Sequence, residues 1–528
     1  MGGGSVSIGW IELNLGPSAM VPLLLGTFAV GFGLVSMVVK ERLFVSDTLV
    51  ALLFGTLFGP AFIGLVDPAD WIDVPSFTLE LTRLIIAIQV MAAGITLPKK
   101  YLAKELRSLL ILLGPVMTWM WLTTAVILML VFRLGFLESL VIASCVAPTD
   151  PVLANSIVRG RFAETKVPVH VRNIISAESG ANDGLGYPYL YLALYLLRFA
   201  NASEALTRWL AVVVLWEVAM SVVFGAFIGW AARRLLQFAR RKEWIDHDSF
   251  FSFAVSLTLL TLGLVSLVGS DDILACFVAG NTLTWDDWFR EETVESHFQD
   301  LLDTLFNYTF FVYLGMIIPW HSLATGTGML TSTRLLVAST LVILFRRLPI
   351  TLAVTRMTPA IETLREAVFA GWFGPIGVGA IFYAMVAQKE LESEVFAGLR
   401  AKEFLMPVVF SLVAASVFVH GITIPLYYTV SAVPTATVAV TQFLSSRRPS
   451  ESSSSSIIFP FRRYGRPVDP LLRVNIAAPR HSGQGLGVLS TSCPPASAMG
   501  APTVALSNAK QRIRVERPED LPSYGTIE

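Results

Sequence analysis

The decisive stretch of this sequence reads Val171-Arg-Asn-Ile-Ile-Ser-Ala-Glu-Ser-Gly-Ala-Asn-Asp-Gly-Leu-Gly-Tyr-Pro-Tyr-Leu-Tyr-Leu-Ala-Leu194. It places Glu178 and Asp183 in an otherwise apolar segment of membrane-spanning length. An ionised carboxylate is costly in hydrocarbon, so such acids usually belong to an ion pathway or a proton relay. On a helix, Ser179 lies one turn from Asp183, and Glu178 one turn from Asn182. The alternative, a short cytosolic loop, is disfavoured because the sequence continues apolar after the acids.

Composition indicates a polytopic membrane protein. Of the 528 residues, 54% are hydrophobic and 15% charged, and the mean hydropathy is +0.64, whereas soluble domains have about 25% charged residues. The net charge is zero, so neither nucleic acid nor another polyanion is indicated as a partner. The cysteines, Cys145, Cys276 and Cys493, are scattered and predict no disulfide framework, resident metal or cofactor.

Apolar runs predict about 12–13 transmembrane helices, since a bilayer core needs about 20 apolar residues per helix. The candidate spans are 20–39, 48–66, 79–97, 108–132, 136–157, 172–198, 208–231, 250–268, 272–284, 301–319, 335–356, 366–388 and 403–430. Loops after spans 1, 3, 5 and 7 are rich in Lys and Arg. This alternation predicts an external N-terminus and a cytoplasmic C-terminus. Twelve spans follow if the first or ninth does not cross.

The sequence divides at about residue 432. Residues 1–432 are assigned to the transmembrane domain, and residues 433–528 to a cytoplasmic tail rich in Ser, Pro and Gly. Such a composition cannot bury a core and is typical of disorder.

Two spans contain segments that do not fit a continuous helix. Span 5 includes Ala147-Pro-Thr-Asp-Pro-Val152, and span 12 includes Gly371-Trp-Phe-Gly-Pro-Ile-Gly-Val-Gly379. The two prolines of span 5 should unwind the helix at Asp150. Interrupted spans at corresponding positions of spans 1–6 and 8–13 predict inverted repeats around a transport site. The alternative is two ordinary proline kinks. The Thr149 carbonyl and the Asp150 carboxylate are hard oxygen ligands suited to a small cation.

Charged residues elsewhere leave alternatives open. Arg346 and Arg347 lie mid-span, and we expect Arg347 to pair with Glu178 while Arg346 lies nearer solvent; otherwise both snorkel to the inner interface. Asp271 and Asp272 open span 9 as helix caps or as part of an ion path. His420 is more readily explained as a packed, hydrogen-bonded side chain than as a proton carrier.

Taken together, several motifs resemble the sodium/proton antiporters of the cation–proton antiporter superfamily, in the fungal plasma-membrane group of its monovalent cation:proton antiporter 1 branch. The resemblance covers about residues 25–430. The motifs are Ala147-Pro-Thr-Asp-Pro, Glu178-Ser-Gly-Ala-Asn-Asp, Ser270-Asp-Asp-Ile-Leu-Ala-Cys-Phe-Val-Ala-Gly-Asn281, Thr284-Trp-Asp-Asp-Trp-Phe289, Phe345-Arg-Arg-Leu-Pro349, Gly374-Pro-Ile-Gly-Val-Gly379 and Val419-His-Gly-Ile-Thr-Ile-Pro425.

The resemblance implies an all-α fold in which a six-helix core with crossed, unwound helices moves against a dimerisation domain. It assigns cation and proton binding to Asp183, with Ser179, Asp150 and the Thr149 backbone completing the site and Asn182 orienting it. Glu178 and Arg347 become a structural ion pair. The resemblance and the sequence together leave five further candidates for the ion path: Asp271, Asp272, Thr96, Arg346 and His420.

The function so implied is secondary active antiport, not enzyme catalysis. A homodimeric, multi-pass protein of the plasma membrane would export Na⁺, Li⁺ and, as a further candidate, K⁺ in exchange for H⁺, supporting salt tolerance and pH homeostasis. The transported metal ion would be held by Asp183, Asp150 and Ser179. One departure is Thr96, where relatives are expected to carry glutamate.

Two other classes of function are weaker. A passive cation channel fits single-copy buried acids poorly, because pores are usually symmetric rings. An intramembrane aspartyl protease needs a Gly-x-Gly-Asp element, but Gly184-Leu-Gly186 is followed by Tyr187.

Overall fold

The computed structural model describes residues 5–8, 11–14, 17–41, 45–67, 73–150, 167–293, 298–326 and 328–445. All of them lie within one compact unit, residues 1–449. The principal elements are β1 Ser5–Ile8, β2 Ile11–Asn14, α1 Pro17–Glu41, α2 Asp47–Phe58, α3 Val74–Thr96, α4 Leu106–Phe132, α5 Phe136–Cys145, α6 Val169–Arg198, α7 Ala202–Arg241, α8 His247–Val268, α9 Asp272–Leu283, α10 Phe298–Ile317, α11 Ser332–Phe345, α12 Leu348–Val354, α13 Leu364–Trp372, α14 Val378–Leu391 and α15 Ala401–Ser445. Short helical turns cover Tyr101–Lys104, Trp288–Thr293, Trp320–Thr325, Thr355–Met357 and Glu394–Phe396.

Beyond the short antiparallel hairpin β1–β2, the described elements are helical. The hairpin was not predicted, because two four-residue strands carry almost no periodic signal. Helices α1 to α10 correspond to the first ten predicted spans, the pair α11–α12 to the eleventh, α13–α14 to the twelfth and α15 to the last. The predicted all-α polytopic fold is therefore confirmed for the membrane part.

Several helices have membrane-spanning character. Within the described residues, six are long and apolar enough to cross a bilayer: Ala19–Val39, Val74–Thr96, Leu106–Phe132, Ala202–Arg241, Ser332–Met357 and Ala401–Thr423. Four shorter apolar helices accompany them: Asp47–Phe58, Phe136–Cys145, Ser252–Val268 and Asp272–Leu283. The chain is a multi-pass membrane protein.

Both predicted helix breaks are present. Helix α5 ends at Cys145 and the chain is non-helical from Val146 to Asp150, so the helix unwinds earlier than the predicted point at Asp150. Residues 151–157 of the predicted span, including Pro151, lie outside the described residues. In span 12 the non-helical residues are 373–377, between α13 and α14. The two breaks occupy the fifth position of their respective six-span halves, as expected for inverted repeats.

Close helix packing depends on residues without side-chain bulk. A Cβ on Gly229 of α7 would lie 2.9 Å from the Ala279 Cα of α9, and a Cβ on Gly55 of α2 would lie 2.9 Å from the Val312 Cα of α10. Small residues let membrane helices approach until their backbones touch. Helix α9 thereby packs between α3 and α7, at the edge of the region that holds the buried acids.

The last helix differs from its prediction. Helix α15 continues to Ser445, past the predicted span end at residue 430 and past the predicted domain boundary at 432. Residues 446–528 lie outside the described residues, so disorder of the tail stays a prediction there.

Candidate functional site

The two broken helices meet through their non-helical segments. The Asp150 backbone N–H donates to the Pro375 carbonyl at 2.9 Å, and the Val378 N–H donates to Asp150 Oδ2 at 2.6 Å. Val378 is the first residue of α14, where unpaired N–H groups and the helix dipole favour a negative charge. Asp150, which is 2% exposed, is therefore fixed at the crossing of the two halves.

A polar network from α6 completes the neighbourhood. Asn182 Oδ1 accepts from the Thr149 N–H at 3.2 Å, and Asn182 Nδ2 donates to Thr149 Oγ1 at 2.9 Å. The hydroxyls of Thr149 and Ser179 are 2.9 Å apart. Asn182 thus orients Thr149 by two hydrogen bonds, and the neutral oxygens predicted for the site lie together.

The Asp183 carboxylate differs from its neighbours in having no hydrogen-bond partner among the described residues. Its side chain is 1% exposed, and within the described part of the chain neither carboxylate oxygen has a hydrogen-bond partner. A Cβ placed on Gly379 would lie 2.6 Å from Asp183 Oδ1, so this carboxylate points at the first turn of α14. Asp150 lies within electrostatic reach. A buried carboxylate without partners is costly unless it holds a proton or a cation.

Both arginines of span 11 are buried. Arg347 forms a two-pronged ion pair with Glu178, with Nη1–Oε1 at 2.5 Å and Nη2–Oε2 at 2.7 Å. The expectation that Arg346 lies nearer solvent is wrong, because Arg346 is 2% exposed and Arg347 is 3% exposed. Helix α11 ends at Phe345 and α12 begins at Leu348, with Pro349 in its first turn, so both arginines lie in the break between the two helices.

Arg346 has a function that the sequence did not indicate. It donates to the Val146 carbonyl at the end of α5 and, at 2.6 Å, to the Gly374 carbonyl after α13. Helix C-termini leave carbonyls unpaired and carry partial negative charge. One guanidinium therefore satisfies the C-terminal ends of both broken helices.

The remaining candidates lie around this centre. Asp271 caps α9 by accepting from the Leu274 N–H at 2.9 Å, while Asp272 is paired with Arg83. Thr96 ends α3, and its hydroxyl donates to the Ala93 carbonyl at 3.0 Å. A Cβ on Gly180 would lie 3.2 Å from the Ala93 Cβ, so this end of α3 packs on α6 beside the site.

His420 contacts the non-helical segment of span 12, directly and through Ser416. Its Nε2 lies 2.9 Å from the Trp372 carbonyl, and its Nδ1 lies 2.8 Å from the Ser416 carbonyl. The Ser416 hydroxyl in turn accepts from the Ile376 N–H at 2.8 Å. The packed interpretation of His420 agrees with these contacts.

Sequence reasoning missed Tyr383. Its hydroxyl donates to the Asp183 carbonyl and lies 3.2 Å from the Gly184 carbonyl. A tyrosine in an apolar span carries no sequence signal of such a contact.

Comparison with known proteins agrees with this geometry. The family described as "Sodium/hydrogen exchanger, transmembrane" matches residues 27–430. The chain belongs to this family. It is 40% identical over 386 residues to "Na(+)/H(+) antiporter 2" of Zygosaccharomyces rouxii, covering 73% of this chain and 48% of that protein. It is also 34% identical over 428 residues to the "Na(+)/H(+) antiporter" of Schizosaccharomyces pombe, covering 79% of this chain and 92% of that protein. The predicted resemblance to the fungal branch is confirmed.

The chain spans about half the length of most of the curated relatives that it matches: 48% of the Zygosaccharomyces rouxii protein, and 57% and 39% of two further fungal Na(+)/H(+) antiporters. Among solved structures, the sodium proton antiporter MjNhaP1 of Methanocaldococcus jannaschii matches with a TM-score of 0.57 at 19% identity, covering 77% of this chain and 100% of that one. That likeness shows that the chain shares the fold of this antiporter structure.

Proposed function

We propose that this member of the family is a secondary active antiporter that exports Na⁺ from the cytosol in exchange for H⁺. The observation that carries the proposal is the Asp183 carboxylate, which is buried at the helix crossing with both oxygens lacking partners among the described residues. Ionised, it binds a cation; protonated, it returns neutral. Competition of the two ions for one carboxylate, with alternating access, gives coupled exchange without covalent chemistry.

The remaining ligands would come from both halves. The Asp150 carboxylate, the Ser179 hydroxyl and the Thr149 backbone supply oxygen, which small hard cations prefer. Among the described residues, no group of three or more His, Cys, Asp or Glu gathers as a resident metal site. Two carboxylates with a few neutral oxygens suit a transported cation, which has to be released again after it binds. We extend the proposal to Li⁺ and K⁺ as further substrates.

We also propose the membrane, the orientation of the tail and the oligomeric state in which this exchange takes place. The alternation of basic loops supports a cytoplasmic tail, and the resemblance to fungal antiporters supports a homodimer in the plasma membrane that contributes to salt tolerance and pH homeostasis. Crosslinking of the protein in its native membrane, compared with its mass in detergent, tests the dimer.

Transport by the purified protein in liposomes tests the function. Liposomes are acidified inside and loaded with a pH-sensitive dye, and Na⁺, Li⁺ or K⁺ is then added outside. An antiporter dissipates the pH gradient when its cation is added, without needing an imposed voltage. A passive cation channel would instead carry cation current with no obligatory proton movement. Cation flux without proton countermovement would contradict the proposal.

Gly377→Ala tests the geometry of the crossing. A Cβ at this position would overlap the Asp150 carboxylate, lying 2.5 Å from its Cγ. Displacing Asp150 from the Val378 N–H should raise the apparent KM for Na⁺ several-fold while the protein stays folded. The matched control is Gly263→Ala on α8, where nothing lies within 4 Å of the added Cβ. An unchanged KM for Gly377→Ala would mean that Asp150 does not contribute to cation binding.

Thr96→Glu tests the departure from the expected family pattern. It adds a titratable group where α3 packs beside the site. Two carboxylates that share a low-dielectric site are difficult to ionise together. The activity optimum should therefore move to higher pH, with an altered ranking of Li⁺, Na⁺ and K⁺ and with transport retained. Thr96→Gln has nearly the same bulk without the charge and should leave the pH profile in place. If both variants behave alike, Thr96 faces away from the ion path.

A further inference from the structure

A second pair of carboxylates lies outside the site already described. Glu217 is on the π-helical stretch Trp209–Ala219 of α7, and Asp271 begins α9. The Glu217 carbonyl accepts from the Ser270 hydroxyl at 2.7 Å and from the Asp271 N–H at 3.3 Å. The π-helical stretch of α7 is thus hydrogen-bonded to the start of α9.

Each acid has an oxygen that the fold leaves without a partner. Asp271 is 7% exposed; its Oδ1 caps α9, whereas its Oδ2 is buried and has no hydrogen-bond partner within the described segments. Oε2 of Glu217 is likewise buried and unpartnered there. Helix capping explains only one oxygen of Asp271. Buried carboxylate oxygens without donors need a proton or a cation.

The described groups within electrostatic reach of this pair are mainly further acids, a thiol and phenols. Asp271 lies within electrostatic reach of Glu217, Asp272 and the Cys276 thiol, and Glu217 within reach of Glu390. Arg83 is paired with Asp272 at an Nε–Oδ2 distance of 3.0 Å. Arg198 and Arg208 lie within electrostatic reach of Tyr195. The phenols that face the two acids from α6 and α14 are those of Tyr187, Tyr191, Tyr195 and Tyr383.

Tyr383 connects this pair with the transport site. Its hydroxyl bonds the Asp183 carbonyl, and its ring lies within electrostatic reach of both Asp183 and Asp271. Tyr187 lies on the same helix as Asp183, one turn along, and faces both Glu217 and Asp271. Polar groups therefore continue from Asp183 to Glu217, which is half-buried.

The topology predicted from the basic loops puts the starts of α7 and α9 on the outer side. We propose that Glu217 and Asp271 form an outer proton-exchange pair that passes the imported proton from the external solution to Asp183. Glu217 takes a proton from external water and yields it inwards through Asp271, and each carboxylate is restored when the next proton arrives. The proposal rests on the exchange activity proposed above and adds a step that precedes protonation of Asp183.

Dependence of exchange on external pH tests the pair. Cells expressing the protein are loaded with Na⁺, and Na⁺ efflux is followed while only external pH is varied. In Glu217→Gln, which keeps the shape but cannot carry a proton, half-maximal efflux should require a several-fold higher external proton concentration. The KM for cytosolic Na⁺ should stay at the wild-type value. Glu217→Asp retains a titratable group and should recover part of the profile.

Glu204→Gln is the matched control, because Glu204 lies on the same helix but is 48% exposed and paired with Arg208 at 3.0 Å. It should leave the external-pH profile unchanged. If Glu217→Gln has a wild-type profile, or lowers efflux by the same factor at every pH, the pair is not a proton-exchange step. If Glu217→Asp matches Glu217→Gln, titration of Glu217 is not the cause. Absence of proton-coupled efflux in the unaltered protein would contradict the exchange proposal itself.

Discussion

Replacement of Asp183 by asparagine is expected to reduce cation/proton exchange to the level of protein-free liposomes, while the folded protein remains in the membrane. Asparagine keeps the shape and an oxygen atom but cannot alternate between a charged and a protonated form. Because the Asp183 oxygens make no hydrogen bonds within the described structure, the substitution removes no contact that holds the fold. Loss of activity would therefore reflect lost chemistry, not lost stability.

The measurement compares proton-coupled Na⁺ uptake with the amount of folded protein judged by size-exclusion chromatography. Asp73→Asn, an equivalent change at an exposed position before α3, is the control and should transport normally. Asp150→Asn should also lose exchange, or show a steeply raised KM if Asp150 only completes the cation site. Exchange by Asp183→Asn at rates near wild type would show that another group alternates between the two ions.

The residues with the strongest sequence signals are those that an apolar environment penalises most. Glu178 and Asp183 stand out because a membrane span rarely retains an acid without a function. The two helix breaks stand out because the prolines Pro148 and Pro151 in one, and Pro375 with its neighbouring glycines in the other, do not fit a continuous helix. These local features were enough to predict the fold class and to place Asp150 at a helix break.

Other features depend on which segments touch across the fold. The sequence paired Arg347 with Glu178 but placed Arg346 nearer solvent, whereas Arg346 is buried and bonds two carbonyls. Tyr383 contacts the Asp183 backbone only because α14 begins beside α6. Glu217 looks like an ordinary polar residue in an apolar helix until Ser270 and Asp271 are found bonded to its carbonyl. Long-range packing, not local pattern, decides these contacts.

The largest effect on stability is expected at the Glu178–Arg347 ion pair. Both side chains are 3% exposed, so removing one partner leaves an uncompensated buried charge. Breaking such a pair costs about 3–5 kcal/mol. Arg347→Gln should be the more damaging single change, because Arg347 Nε also donates to the Ala370 carbonyl of α13 at 2.9 Å. Glu178→Gln leaves that hydrogen bond in place.

The double variant Glu178→Gln/Arg347→Gln distinguishes a true pair from two independent contributions. Independent effects add, whereas removal of both charges avoids the unpaired ion and should recover part of the lost folded protein. Thermal stability of the detergent-solubilised protein gives the comparison. Glu204→Gln is again the control, because its exposed pair with Arg208 is worth at most about 1 kcal/mol. A double variant no more stable than the worse single variant would mean that these charges do not stabilise each other, and that Arg347 acts mainly through the α13 carbonyl.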